Sequence, residues 1–179
     1  VPDVTTVGKA MANGYPISAV VGKREFMSVM ESKAFLSSTF FPNSLEMVAA
    51  LKTIEILQRD RILDKLWARG ERFLGRLHEI VDESGVPCKA SGIPPMPFVT
   101  FERDEKMIYR EGRIRFYTET IRRGLFLHPF HHWYICHRHT EEDLETALHA
   151  IEQSLAQAKG VFARLEKIQT TKMSADRNR

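Results

Sequence analysis

Lys9 is the first residue whose setting suggests chemistry. It lies in Thr6-Val7-Gly8-Lys9-Ala10-Met11-Ala12-Asn13-Gly14-Tyr15-Pro16, flanked by small residues and followed by a glycine turn. Burial near a ligand disfavours an ammonium ion and lowers its pKa. The neutral amine can then attack a carbonyl and form a Schiff base. From spacing alone a surface lysine in a loop is the simpler reading, because Gly-Lys is a common pair and recurs at Lys23. A second candidate is the run Ser37-Ser38-Thr39-Phe40-Phe41-Pro42-Asn43. Hydroxyls just ahead of a helix can bind an anion with the help of backbone N–H groups, although capping and turn formation explain them more simply. The third is a histidine cluster: His128, His131, His132, His137 and His139, with Cys136 among them. Imidazole and thiolate are zinc ligands. On a strand His137 and His139 would share one face. A pocket wall or half-buried edge is the plainer expectation.

These residues need elements to position them. Ile17–Gly22 is a short apolar run that reads as a buried strand, and 23–30 as a helix start. Asn43 or Ser44 would cap a helix carrying Leu45, Val48, Leu51, Ile54 and Leu57 at helical spacing. A second long amphipathic helix is expected over 62–83, ended by Ser84-Gly85-Val86-Pro87. Phe98–Phe101 reads as a strand, and Arg113–Arg123 as a helix closed by Gly124. Leu125–Leu127 and Trp133–Ile135 read as two short strands. Thr140 and Asp143 form a capping box ahead of a helix with Leu144, Leu148, Ile151 and Leu155. The pattern suggests a mixed α/β or α+β region. The first forty residues look like the end of a larger domain.

Composition narrows the class. Of 179 residues, 43% are hydrophobic and 27% charged, the mix of a globular protein rather than a disordered or fibrous one. No apolar run approaches the ~20 residues of a membrane span, and no secretory signal opens the chain. The net charge of +3 is concentrated at the end: residues 159–179 hold six Lys/Arg against two Asp/Glu. No aromatic-basic groove pattern accompanies this tail, so nucleic acid is not an expected partner. Two cysteines make no disulfide framework, and a cytoplasmic location is the default.

Together the motifs resemble the class III, pyridoxal-phosphate-dependent aminotransferases, most of all the glutamate-1-semialdehyde 2,1-aminomutase-like members. Three stretches carry the resemblance. Pro2–Pro16, running on to Gly22, looks like the family's Schiff-base lysine segment. Ser38–Leu51 is similar to its threonine loop and following helix. Gly124–Pro129 with His139–Leu144 looks like the end of its small C-terminal domain.

The resemblance implies the C-terminal part of a fold-type I transferase of α/β class. Residues 1–58 would close the large cofactor domain, 59–160 would form the small α+β domain, and 161–179 a basic tail. It implies pyridoxal 5'-phosphate as cofactor, Lys9 as both its covalent anchor and the catalytic proton carrier, and Ser38 and Thr39 as phosphate ligands. In this family the threonine contact comes from a neighbouring subunit, so a homodimer is implied, with an amino acid or amine as substrate. The family's glycine-rich phosphate loop and ring-nitrogen aspartate lie upstream of its lysine and are not in this sequence. A fragment lacking the N-terminal half, inactive alone, is therefore expected. The family's Arg-Phe-x-Pro-Pro-like segment has no counterpart in Phe130–Cys136, and Ser44 stands where the family often has proline. The competing reading from another class is a non-catalytic histidine-rich metal-binding or interaction module.

Overall fold

The computed structural model describes residues 1–177 except 36, 38 and 40–42, and side chains as far as residue 164. The chain divides into two compact units, Val1–Leu63 and Asp64–Arg179.

The first unit opens with an antiparallel ribbon. β1 (Val4–Val7) pairs with β2 (Ala19–Gly22) in the register Val4↔Gly22 to Val7↔Ala19. Between them runs a 3-10 turn, Lys9–Ala12. Two short helices follow, α1 (Arg24–Met27) and α2 (Val29–Ser32), then α3 (Ser44–Arg59). The α3 cap is Asn43, whose side chain accepts from the Leu45 N–H at 3.3 Å, satisfying one of the free donors of the first turn. The 3-10 turn packs on α3, and Ala12 and Ala50 are buried.

Two expectations fail in this unit for one reason. β2 was expected buried, yet Val20 and Val21 are exposed. The apolar stripe of α3 also faces out: Leu45, Val48 and Leu51 are 58%, 62% and 68% exposed. The covered side of α3 runs instead through Glu46, Ala49, Ala50 and Thr53. A two-stranded ribbon has no second layer among the described residues. Periodicity reports that a face is apolar; it does not report what covers it.

The second unit carries the main core. α4 (Ile62–Ser84) matches the expected long helix, and its first two residues belong to the first unit. β3 (Cys88–Ile93) and β4 (Met96–Phe101) form a tight hairpin, then come α5 (Ile108–Arg122) and α6 (Glu141–Arg177). Leu77 of α4, Phe116 of α5, and Ile151 and Leu155 of α6 are fully buried, with Val99 of β4 almost so. Gly112 is required by close approach: a Cβ there would lie 2.2 Å from the Phe162 ring of α6. Gly124, at φ +79°, ends α5 in the left-handed conformation expected of a C-cap glycine. The Thr140–Asp143 box is formed reciprocally. Thr140 N–H donates to Asp143 Oδ2 at 2.7 Å, and Asp143 N–H donates to Thr140 Oγ1 at 3.1 Å.

The two short strands expected at 125–127 and 133–135 do not form; 125–139 is an irregular connection. Its course is nevertheless fixed. Trp133 N–H donates to the Pro97 carbonyl at 2.8 Å and Ile135 N–H to the Pro95 carbonyl at 2.9 Å. Proline has no N–H to return, so the pairing stops at one-way bonds and no ladder develops. Further on, Arg69 of α4 donates to the carbonyls of His139 (2.6 Å) and His137 (3.4 Å), and Arg69 and Arg72 both pair with Glu141. These bonds tie the connection to the hairpin at one point and to α4 at another.

Candidate functional site

Lys9 follows directly on β1 and Gly8. Its own backbone is left-handed, with φ +51°, one of four such non-glycine residues in the described chain. For a long side chain this conformation costs of order 1 kcal/mol and needs support from its surroundings. The support is local. Met11 N–H bonds to the Gly8 carbonyl at 3.2 Å and Asn13 N–H to the Ala10 carbonyl at 3.1 Å, and the left-handed Asn13 closes the turn. The ribbon fixes the entry, since β1 is in register with β2 up to Val7↔Ala19. The outcome is a lysine aimed by backbone constraint rather than by side-chain packing. It is exposed in this chain, not buried as the chemical argument from sequence supposed. Among the described residues no hydrogen bond or ion pair engages its amine. Lys23, its sequence look-alike, is by contrast committed to Asp3 at 2.5 Å.

Thr39 lies in a turn, exposed, and its hydroxyl has no hydrogen-bond partner among the described residues. Ser38 lies outside the described residues. Lys9 and Thr39 belong to the same unit but to separate segments, and no hydrogen bond joins them. Sequence reading passed over Glu46 in the first turn of α3. Its Oε2 is buried and finds no partner among the described residues. A free primary amine suits a group that is bound covalently through a carbonyl, and a free hydroxyl suits one that also carries an anion. Pyridoxal phosphate is such a group.

The histidines take a different arrangement. Among the described residues no set of three or more His, Cys, Asp or Glu is placed to hold a metal ion. The rings contact one another and their aromatic neighbours instead. His131 and His132 lie 4.1 Å apart between centroids, and His132 Nε2 meets the Tyr134 hydroxyl at 2.9 Å. His128 Nδ1 accepts from the Phe130 N–H at 3.1 Å. Trp133 is buried against Phe98, edge to face at 6.0 Å. The two cysteines differ. Cys136 is exposed, whereas Cys88 is buried in the hairpin, where desolvation, with smaller effects from Glu102 and Asp82, pushes its thiol up to about 12.

Comparison with known proteins gives this geometry a family. The model of the family "Aminotransferase class-III" matches residues 1–155. A 3-aminobutyryl-CoA aminotransferase from Cloacimonas acidaminovorans is 55% identical over 158 residues, covering 88% of this chain and 38% of its own length. A glutamate-1-semialdehyde 2,1-aminomutase from Thermus thermophilus is 32% identical over 170 residues, covering 86% of this chain and 39% of its own length. Among solved structures, the PLP internal aldimine form of the FumI protein of Sphingopyxis sp. MTA144 superposes with a TM-score of 0.79 at 27% identity, over 90% of this chain and 38% of that one. The chain thus spans somewhat over a third of the length of the relatives it matches. With the family model matching most of its length, the chain belongs to the class III aminotransferase family.

Proposed function

We propose that the protein to which this chain belongs transfers an amino group between two substrates, using pyridoxal phosphate held on Lys9. The observation that carries the reading is Lys9 itself: a partnerless amine, set in a left-handed backbone turn inside the family-matched segment. When bound, the cofactor supplies the electron sink that lets the hydrogen beside a substrate amino group leave as a proton. Lys9 Nζ anchors it. Once the substrate amine has displaced Lys9, the freed Nζ takes the proton from the substrate carbon and returns it to the carbon being reprotonated. The left-handed turn holds the lysine stem in place for both tasks. Thr39 and Ser38 bind the phosphate, Thr39 from the neighbouring subunit of a homodimer. Residues 1–58 then close the large domain and 59–160 form the small one, and the compact-unit boundary at Leu63 supports that division. Among the described residues no helix is long and apolar enough to cross a membrane.

The relative at 55% identity favours a 3-amino acyl thioester of coenzyme A as amino donor. The 32% identity to an aminomutase gives less support to intramolecular transfer. The experiment uses the protein encoded by the complete reading frame, loaded with pyridoxal phosphate. It is reduced with borohydride, and the modified lysine is mapped by mass spectrometry. Label on Lys9 is expected in the reduced sample; an unreduced sample should release at most one equivalent of keto product from the donor alone and turn over further only when an acceptor is present. A folded, cofactor-loaded protein labelled at another lysine sinks the proposal.

A further inference from the structure

The first half of α5 and the connection before α6 meet in a patch that the amino-transfer chemistry does not use. Arg113 lies over the Phe130 ring, its Cζ 4.5 Å from the centroid, and 5.9 Å from the centroid of Tyr109. Arg110 Nε donates to the Tyr109 hydroxyl at 3.4 Å. Arg103 is the third cation: Arg110, first through its hydrogen bond, and then Arg103 and Arg113 by charge hold the Tyr109 phenol below its usual range. Phe130 is 70% exposed, with the His128 ring edge-on to it at 6.3 Å between centroids. Between Arg103 and Arg113 there are three carboxylates, which bear on the sign of the patch. Asp104 is spent on capping α5, accepting from the N–H groups of Ile108 at 3.0 Å and Tyr109 at 2.8 Å. Glu105 and Glu111 are exposed and form no ion pair with the three arginines among the described residues. What remains is a largely exposed aromatic ring under Arg113, with Arg110 bonded to the neighbouring Tyr109 and Arg103 acting by charge on the same phenol.

That combination selects a ligand with a π-face and several phosphates. An open aromatic ring stacks a purine, and guanidinium forks bind phosphate oxygens bidentately. We infer that Arg103, Arg110, Arg113, Tyr109 and Phe130 form the subsite for the 3'-phosphoadenosine diphosphate end of a coenzyme A thioester. The inference rests on the substrate reading given above, and it assigns to this patch a job distinct from the chemistry at Lys9. The adenine lies on Phe130; the phosphates are shared among the arginines. Phe130 is at the same time held in shape by its own Arg113, which limits the ordering cost of binding.

The test measures binding of free coenzyme A, which has no reacting amino group, to the cofactor-loaded full-length protein by titration calorimetry. Saturable binding is expected, with dephospho-coenzyme A about tenfold weaker because one charged contact set is lost. Phe130→Ala should weaken coenzyme A by about tenfold. Arg110→Ala/Arg113→Ala should weaken it further and abolish the preference for the 3'-phosphate. The loss of preference is a difference between two ligands in one variant, so reduced folding cannot mimic it. The comparison of coenzyme A with dephospho-coenzyme A in the unmodified protein needs no variant at all. Absence of saturable coenzyme A binding overturns the inference, as does an unchanged phosphate preference in the double variant. Amino transfer is assayed on the same preparation. Transfer without coenzyme A binding removes this inference alone, and coenzyme A binding without Lys9 labelling or transfer removes the proposed function instead.

Discussion

Replacing Tyr117 by phenylalanine should stabilise the protein. Tyr117 sits in the second half of α5, 5% exposed, with its ring edge-on to Phe116 at 4.9 Å. Its hydroxyl is buried and has no hydrogen-bond partner of acceptable geometry among the described residues. The nearby indole N–H of Trp133 is directed to the His128 carbonyl at 3.4 Å. Burial accordingly drives the phenol far above its ordinary value, opposed in part by Arg113 and Trp133. A hydroxyl left unpaired in the interior costs about 1–3 kcal/mol of lost hydration. Phenylalanine removes that atom and keeps the ring, so the void left is no larger than one oxygen atom. The expected gain is about 1 kcal/mol, allowing for part of the penalty being relieved by transient water. Urea unfolding of the parent and the Tyr117→Phe protein measures it: the midpoint should rise with the slope unchanged. A loss of about 1 kcal/mol would refute the reasoning. It would mean that the hydroxyl is bonded, with Trp133 the obvious donor, and that the His128 carbonyl is satisfied in another way.

Three further predictions concern the second unit. Thr140→Ala removes one half of the capping box and should cost about 1 kcal/mol in urea unfolding. The bonds from Thr140, backbone first and then hydroxyl, hold the Asp143 carboxyl below its usual value. A depressed carboxylate stabilises the fold above its unfolded pKa of about 3.9. That contribution should fade as pH falls below about 4 and through the lower folded value, and an acid titration of Asp143→Asn should lack this component. Alkylation offers a separate check. With its thiol at about 12, Cys88 should resist iodoacetamide at pH 8 while exposed Cys136 reacts, giving one modified cysteine per native chain by mass spectrometry and two after unfolding.

The helices were legible because their signals are local. Asn43, Thr140 with Asp143, Gly124 and the apolar period of α4 each act within a few residues, and each does in the structure what its sequence suggests. Pairing and covering were not legible, because they depend on partners distant in sequence. β3 was missed since Cys-Lys-Ala-Ser-Gly-Ile alternates only small apolar residues with polar ones, and its buried positions Cys88 and Ala90 carry little hydrophobic signal. Trp133–Ile135 has strand composition, but its neighbours offer two prolines. The outward stripe of α3 looked like core because a hydropathy period cannot name its partner. At the candidate site the sequence located Lys9 through its motif. The left-handed turn that aims it was not readable, since Gly8 and Asn13 are common loop residues and only the bonds from Met11 N–H to the Gly8 carbonyl and from Asn13 N–H to the Ala10 carbonyl make them specific.

The connection between α5 and α6 has a consequence for how such a protein changes over generations. It is moored at Trp133, Ile135, His137 and His139 by main-chain N–H and carbonyl groups, which every residue except proline presents alike. Between and around those moorings, the outward side chains of His131 and Tyr134 contribute nothing to the attachment points. They can be exchanged without moving the path of the chain. A segment of this kind works like an interchangeable fitting on a fixed mount: its recognition chemistry can drift by single substitutions while the fold around it stays the same.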